Sequence, residues 1–133
     1  MRMRAFHRSG ILVAVILILG TLTLTFGDGV RKRIKFAKGR TSTVISNAVL
    51  REDVDQYIVG ARAGQKMKVE ITSLERNASF DISKPRNEGT LLGAGFDDDA
   101  TKWSGELPAT GDYVIEVAPT RGNATYRLTV EIR

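Results

Sequence analysis

Apolar and polar side chains alternate with a period of two along much of the chain. Residues 66–72, Lys-Met-Lys-Val-Glu-Ile-Thr, set Met67, Val69 and Ile71 against Lys66, Lys68, Glu70 and Thr72. That pattern predicts a strand with one face on a core and one in water. Residues 126–132 repeat it, with Tyr126, Leu128, Val130 and Ile132 inward and Arg127, Thr129 and Glu131 outward. Tyr113, Ile115 and Val117 form a third such face, and Phe80 and Ile82 a fourth. Tyr57 and Val59 share one side of 54–60, and Ile34 and Phe36 alternate with Arg33 and Lys35. Residues 43–48 alternate less cleanly. Leu91-Leu92 is a short apolar piece, and Trp103 with Leu107 begins a further strand.

The intervals carry turn chemistry: Ala61–Gln65, Lys84–Gly89, Pro108–Gly111 and Pro119–Asn123. Gly and Asn supply positive φ there, and Pro fixes φ near about −65°. After the N-terminal segment no stretch has the periodicity of a ten-residue helix. Strands about every 8–12 residues predict an all-β architecture. We read it as an antiparallel, jelly-roll-like sandwich of about eight strands. The expected core is Met67, Val69, Ile71, Phe80, Ile82, Trp103, Tyr113, Ile115, Val117, Tyr126, Leu128 and Val130.

Residues 1–27 stand apart. Arg2, Arg4 and Arg8 precede an apolar stretch from Ile11 to Phe26. A charged segment followed by an apolar one reads as a secretory signal. Sixteen residues are short of the about 20 that span a bilayer. Retained, the same stretch, 11–26, would be a membrane anchor and the chain's only membrane contact. The expected division is therefore 1–27 as signal or anchor and 28–133 as one domain.

Charge narrows the partners. The net +5 of the 133 residues is concentrated at the front. Six cations, Arg31, Lys32, Arg33, Lys35, Lys38 and Arg40, fall within residues 31–40. From residue 41 onward acids outnumber bases. Nucleic acid calls for a basic face with stacking aromatics, and the cationic run offers only Phe36; no nucleic-acid partner is expected. A lysine-bearing edge strand explains the run more simply. There is no Cys, so the domain has to stand on its apolar core. A bacterial periplasm or cell surface fits such an exported, disulfide-free chain.

The inventory for catalysis is poor. The single histidine is His7, inside the signal-like segment. Serine therefore lacks its usual imidazole base, and thiolate chemistry is excluded. No glycine-rich phosphate loop opens a helix. An enzyme is not expected, nor a cofactor. Asp97-Asp98-Asp99 is the densest acidic cluster. Its spacing is not that of a calcium loop, and it reads as solvated loop with no metal. Asn77-Ala78-Ser79 and Asn123-Ala124-Thr125 match a glycosylation acceptor pattern that short sequences meet often by chance. Arg121 occupies the hairpin loop between two strongly patterned strands. A guanidinium on such a loop suits bidentate capture of a carboxylate.

Three blocks, "VDQYIVGARAGQKMKVEITS" at 54–73, "WSGELPATGDYVIEV" at 103–117 and "GNATYRLTVEI" at 122–132, together carry a resemblance. They are similar to the periplasmic inhibitors of goose-type lysozyme, and to the broader β-sandwich of bacterial pre-peptidase C-terminal domains. The resemblance implies binding without catalysis, with a lysozyme, most of all a goose-type one, as partner. Loops at one end of the sandwich would block the acidic cleft that glycoside hydrolysis requires. It assigns the partner contact to Arg121, in the loop before the closing strand, and to Tyr57. Asn123 shares the loop of Arg121, and Ser104-Gly105 resembles Ser-Gly pairs of other lysozyme-inhibitor families. The alternative it leaves open is a pre-peptidase-like module that binds glycan or an envelope protein.

Overall fold

Eight strands, among the residues 29–133 that the computed structural model describes, form two facing sheets. They are β1 (Arg31–Arg33), β2 (Ser42–Val49), β3 (Asp55–Ala61), β4 (Lys66–Ser73), β5 (Ala78–Ser83), β6 (Lys102–Glu106), β7 (Gly111–Pro119) and β8 (Ala124–Ile132). One sheet has the order β1-β3-β7-β5 and the other β2-β8-β4-β6. Every pairing is antiparallel except β1 with β3. The chain is the all-β sandwich its pattern predicts. The signal-like segment 1–27 and its boundary lie outside the described residues. Among the described residues no helix is long and apolar enough to cross a membrane.

The alternation places the core. β4 and β8 bury every second residue, as do β3 and β7. Eleven of the twelve expected core residues are buried, and the other, Trp103, is half-buried. The reason is position: β6 is a sheet edge, so its inward side is covered from one flank only. Trp103 lies over Gly105, where a Cβ would approach the indole to 2.8 Å. Its Nε1 donates to the Leu92 carbonyl at 3.0 Å. The first strand ends at Arg33, earlier than its pattern suggests, yet Ile34 and Phe36 still turn onto the core. Leu91 is buried, while Leu92 points to solvent at 97% exposure.

Register defines two ends. Val49 pairs with Ala124, Ser73 with Tyr126, and Asp55 with Val117. The β2–β3, β4–β5 and β7–β8 loops therefore share one end. The turn 107–110 belongs to the other, where Tyr113 Oη donates to the Ala109 carbonyl at 2.7 Å and accepts from Ala109 N at 3.1 Å. Gly111 there has φ +148, and a Cβ would meet Pro85 at 2.8 Å, so only glycine lets the chain pass.

Candidate loop-end binding site

Arg121 sits at the tip of the β7–β8 loop, which turns through Gly122 at φ +56. β7 and β8 lie in opposite sheets, so residues 120–123 cross the end of the sandwich and do not close the hairpin that the pattern suggests. A two-strand hairpin would hold such a loop by its own ladder, and this one needs another clamp. Asn77 supplies it. Its side-chain amide donates to the Arg121 carbonyl at 3.0 Å and the Asn123 carbonyl at 2.9 Å. The Asn77 carbonyl accepts from Thr120 N at 2.8 Å, and its own N–H donates to Ser73 Oγ at 2.8 Å. Asn77 itself is buried, so its polar side chain would be costly to leave unpaired.

The neighbouring loops are tied in as well. Asn123 Oδ1 accepts from Arg51 N at 2.8 Å, joining the β7–β8 loop to the β2–β3 loop. The Arg121 guanidinium donates to the Glu75 carbonyl and, at 3.5 Å, to that of Arg76. A guanidinium has five N–H donors, so donors remain for an incoming acceptor. Arg51, Glu52, Pro119, Thr120, Arg121 and Gly122 line a shallow groove of about 490 Å³. Leu50 and Leu74 flank this end as exposed apolar side chains, 58% and 90% accessible. Exposed leucines beside an anchored arginine have the makeup of a protein-binding surface.

Beneath the loops lies a buried polar cluster. Asp55 accepts at Oδ1 from Val30 N at 2.9 Å. At Oδ2 it accepts from Tyr126 Oη at 2.6 Å and Asn47 Nδ2 at 3.2 Å. Tyr57 Oη and Tyr126 Oη are 2.5 Å apart. Burial, then the bonds to Asp55 and Tyr57, push the Tyr126 phenol far above its ordinary range. This cluster pins β3, β8, β2 and the start of β1 together just under the loop end.

The four residues assigned from sequence do not form one patch. Arg121 and Asn123 share the loop, Asn123 through a structural bond. Tyr57 is 1% exposed. Its hydroxyl ends on Tyr126 rather than at the surface, because β3 turns Asp55, Tyr57 and Val59 inward together. Ser104 is exposed on the edge strand β6, opposite Lys68. From Lys68 to Ser73 along β4 is about 16 Å at a strand rise of about 3.3 Å per residue, so Ser104 stands well away from the loops. Asp98 of the acidic cluster caps its own turn, accepting from Gly95 N at 3.0 Å. Among the described residues no group of three or more His, Cys, Asp or Glu is arranged to hold a metal. Asn77, Leu50 and Leu74 went unrecognised in the sequence. The Leu-Glu-Arg-Asn string at 74–77, a turn with Arg76 at φ +51, carried a signal for Leu74 and Asn77, and nothing local marked Leu50.

The two sheets and this clamped loop end define an all-β sandwich with a preformed surface at one end. No profile of a known protein family matches the chain. An Escherichia coli K12 protein, inhibitor of g-type lysozyme, is 33% identical over 123 residues, covering 82% of each chain. The crystal structure of Aeromonas hydrophila PliG, a periplasmic inhibitor of g-type lysozyme, superposes with a TM-score of 0.65 at 29% identity. That match covers 78% of this chain and 96% of the other. The pre-peptidase C-terminal domain of a Bacillus anthracis collagenase shares the fold, with a TM-score of 0.56 at 14% identity over 77% of this chain and 96% of the other. The chain belongs to the family of g-type lysozyme inhibitors.

Proposed function

We propose that this chain is a periplasmic inhibitor of goose-type lysozyme that works by blockage, with the loop end seated in the enzyme's cleft. Residues 1–27 act as the export signal and 28–133 as the inhibitor domain. The observation that carries the reading is the clamp of Asn77 on the Arg121 loop, within a family of lysozyme inhibitors.

A glycosidase cleft is acidic because its chemistry runs on carboxyl groups. Arg121 is a cation on a loop that has already lost its freedom. Binding then orders little, and affinity gains what a flexible loop would forfeit. The guanidinium pairs with a cleft carboxylate, Leu50 and Leu74 cover apolar rim, and substrate is excluded. Asn123 acts as a positioning residue through Arg51. Tyr57 acts from below, through Tyr126.

The test is a panel. The exported protein is titrated against goose-, chicken- and invertebrate-type lysozymes, scoring lysis of peptidoglycan. Near-equimolar inhibition of the goose type alone is expected. Inhibition of another class alone would overturn the target, and no inhibition by folded protein would overturn the function.

A further inference from the structure

A sandwich of two open sheets has four edges, and in this one three are protected. β1 is three residues long and wholly cationic, Arg31-Lys32-Arg33. The edge of β5 is covered by the segment after it: Phe80 N donates to the Ala100 carbonyl and Ile82 N to that of Ala94. β6 carries Lys102 and Glu106 at its two ends. Short length, charge and cover are the usual ways to stop a sheet edge from pairing.

The fourth edge, β2, has none of them. Its eight residues, Ser-Thr-Val-Ile-Ser-Asn-Ala-Val, contain no charge, proline or glycine. Ile132 N donates to the Thr41 carbonyl at 2.9 Å. Antiparallel alternation then turns residues 43, 45, 47 and 49 toward β8, and the backbone groups of Ser42, Val44, Ser46 and Ala48 toward the open side. Among the described residues β2 has no partner strand but β8. Val44 on this strand is 54% exposed.

We propose that the free edge of β2 accepts an added strand from an acidic, extended polypeptide segment. Charge selects the occupant. The edge opens on a groove of about 290 Å³ whose lining includes Lys32, Lys35, Val44 and Ser46. Neither lysine makes a salt bridge among the described residues. Strand addition draws affinity from main-chain hydrogen bonds and specificity from alternate side chains. Glutamates at every second position would meet the two lysines. A second copy of this chain fits worse. β1 borders the same groove, so pairing β2 with β2 about a two-fold would bring two tricationic strands together.

The probe is a blocked peptide of alternating glutamate and valine, with its lysine counterpart as control, titrated into the exported protein by calorimetry. The acidic peptide is expected to bind and to protect the amides of Val44, Ser46 and Ala48 from exchange. Lys32→Glu with Lys35→Glu is expected to weaken it by about tenfold or more. Val44→Pro is expected to abolish binding without unfolding, since proline is tolerated where an edge N–H faces away from the ladder. Should Val44→Pro not fold, the double lysine variant decides alone. Equal binding of both peptides, no binding, or undiminished binding by the variants would overturn the proposal. So would concentration-dependent dimerisation of the unliganded protein that occludes the same amides.

Discussion

The side-chain amide of Asn77 holds the backbone carbonyl of Arg121 at 3.0 Å, across 44 residues of sequence. That bond converts a surface arginine into a positioned one. Asn77→Ala leaves the Arg121 and Asn123 carbonyls without their donor and opens a small void. The expected loss is about 1–3 kcal/mol of stability, read by urea unfolding. Inhibition of goose-type lysozyme is expected to weaken as well, although the arginine itself is untouched. Full inhibition by Asn77→Ala would show that the loop needs no clamp.

Asp55 and Tyr126 make the most consequential bond beneath the loops, at 2.6 Å. Tyr126→Phe removes a donor from a buried carboxylate, and a hydrogen bond to a charged group is worth about 1.5–3 kcal/mol. Tyr57→Phe removes only a bond between two hydroxyls, with an expected loss of about 1 kcal/mol. Denaturant midpoints of the two variants should fall in that order, and the reverse order would contradict the arrangement.

The same tyrosine sets an alkaline limit. Its phenol is held far above its ordinary pKa of 10.0, chiefly by burial. Above pH 10 the unfolded chain releases this proton and the native one retains it. The unfolded state then binds fewer protons, so stability falls as pH rises. The contribution is complete below pH 10 and declines above it. Unfolding free energies measured across that range should slope downward, and Tyr126→Phe should flatten the slope.

Gly105 is fitted to Trp103. A methyl group at residue 105 would meet the indole at 2.8 Å and force it off the Leu92 carbonyl. Gly105→Ala is expected to lose about 1–3 kcal/mol through overpacking. Trp103 is the only tryptophan in the chain, so its emission reports the displacement directly. An unshifted spectrum would mean that the ring keeps its place and the backbone absorbs the methyl group.

Much of this was legible in the residues, and the exceptions have physical reasons. The alternation in Lys66–Thr72 and Tyr126–Ile132 marked β4 and β8 because each has one wet face and one buried face. β2 alternates poorly because an edge strand is partly wet on both sides. Trp103 matched a core phase, but an edge buries only half of it. Tyr57 shares the phase of Val59, which announced an inward side chain. Asp55 shares it too, and its three donors arrive from Val30 just before β1, from β2 and from β8, which no local pattern records. Asn77 matched a glycosylation tripeptide, and its work as a clamp depends on a contact between two distant loops. Arg121 could be placed in a loop because it stands between two strands, β7 and β8, whose alternation is plain.

The central claim is that Arg121, presented at the loop end, blocks a lysozyme cleft. The direct measurement is the inhibition constant of Arg121→Ala against goose-type lysozyme, beside Arg62→Ala in the β3–β4 turn at the far end. Truncating a central interface arginine removes about 2 kcal/mol or more. The account predicts at least about tenfold weaker inhibition for Arg121→Ala, with the fold retained despite the loss of its two exposed bonds, and no change in inhibition for Arg62→Ala. Equal inhibition by all three proteins would contradict it.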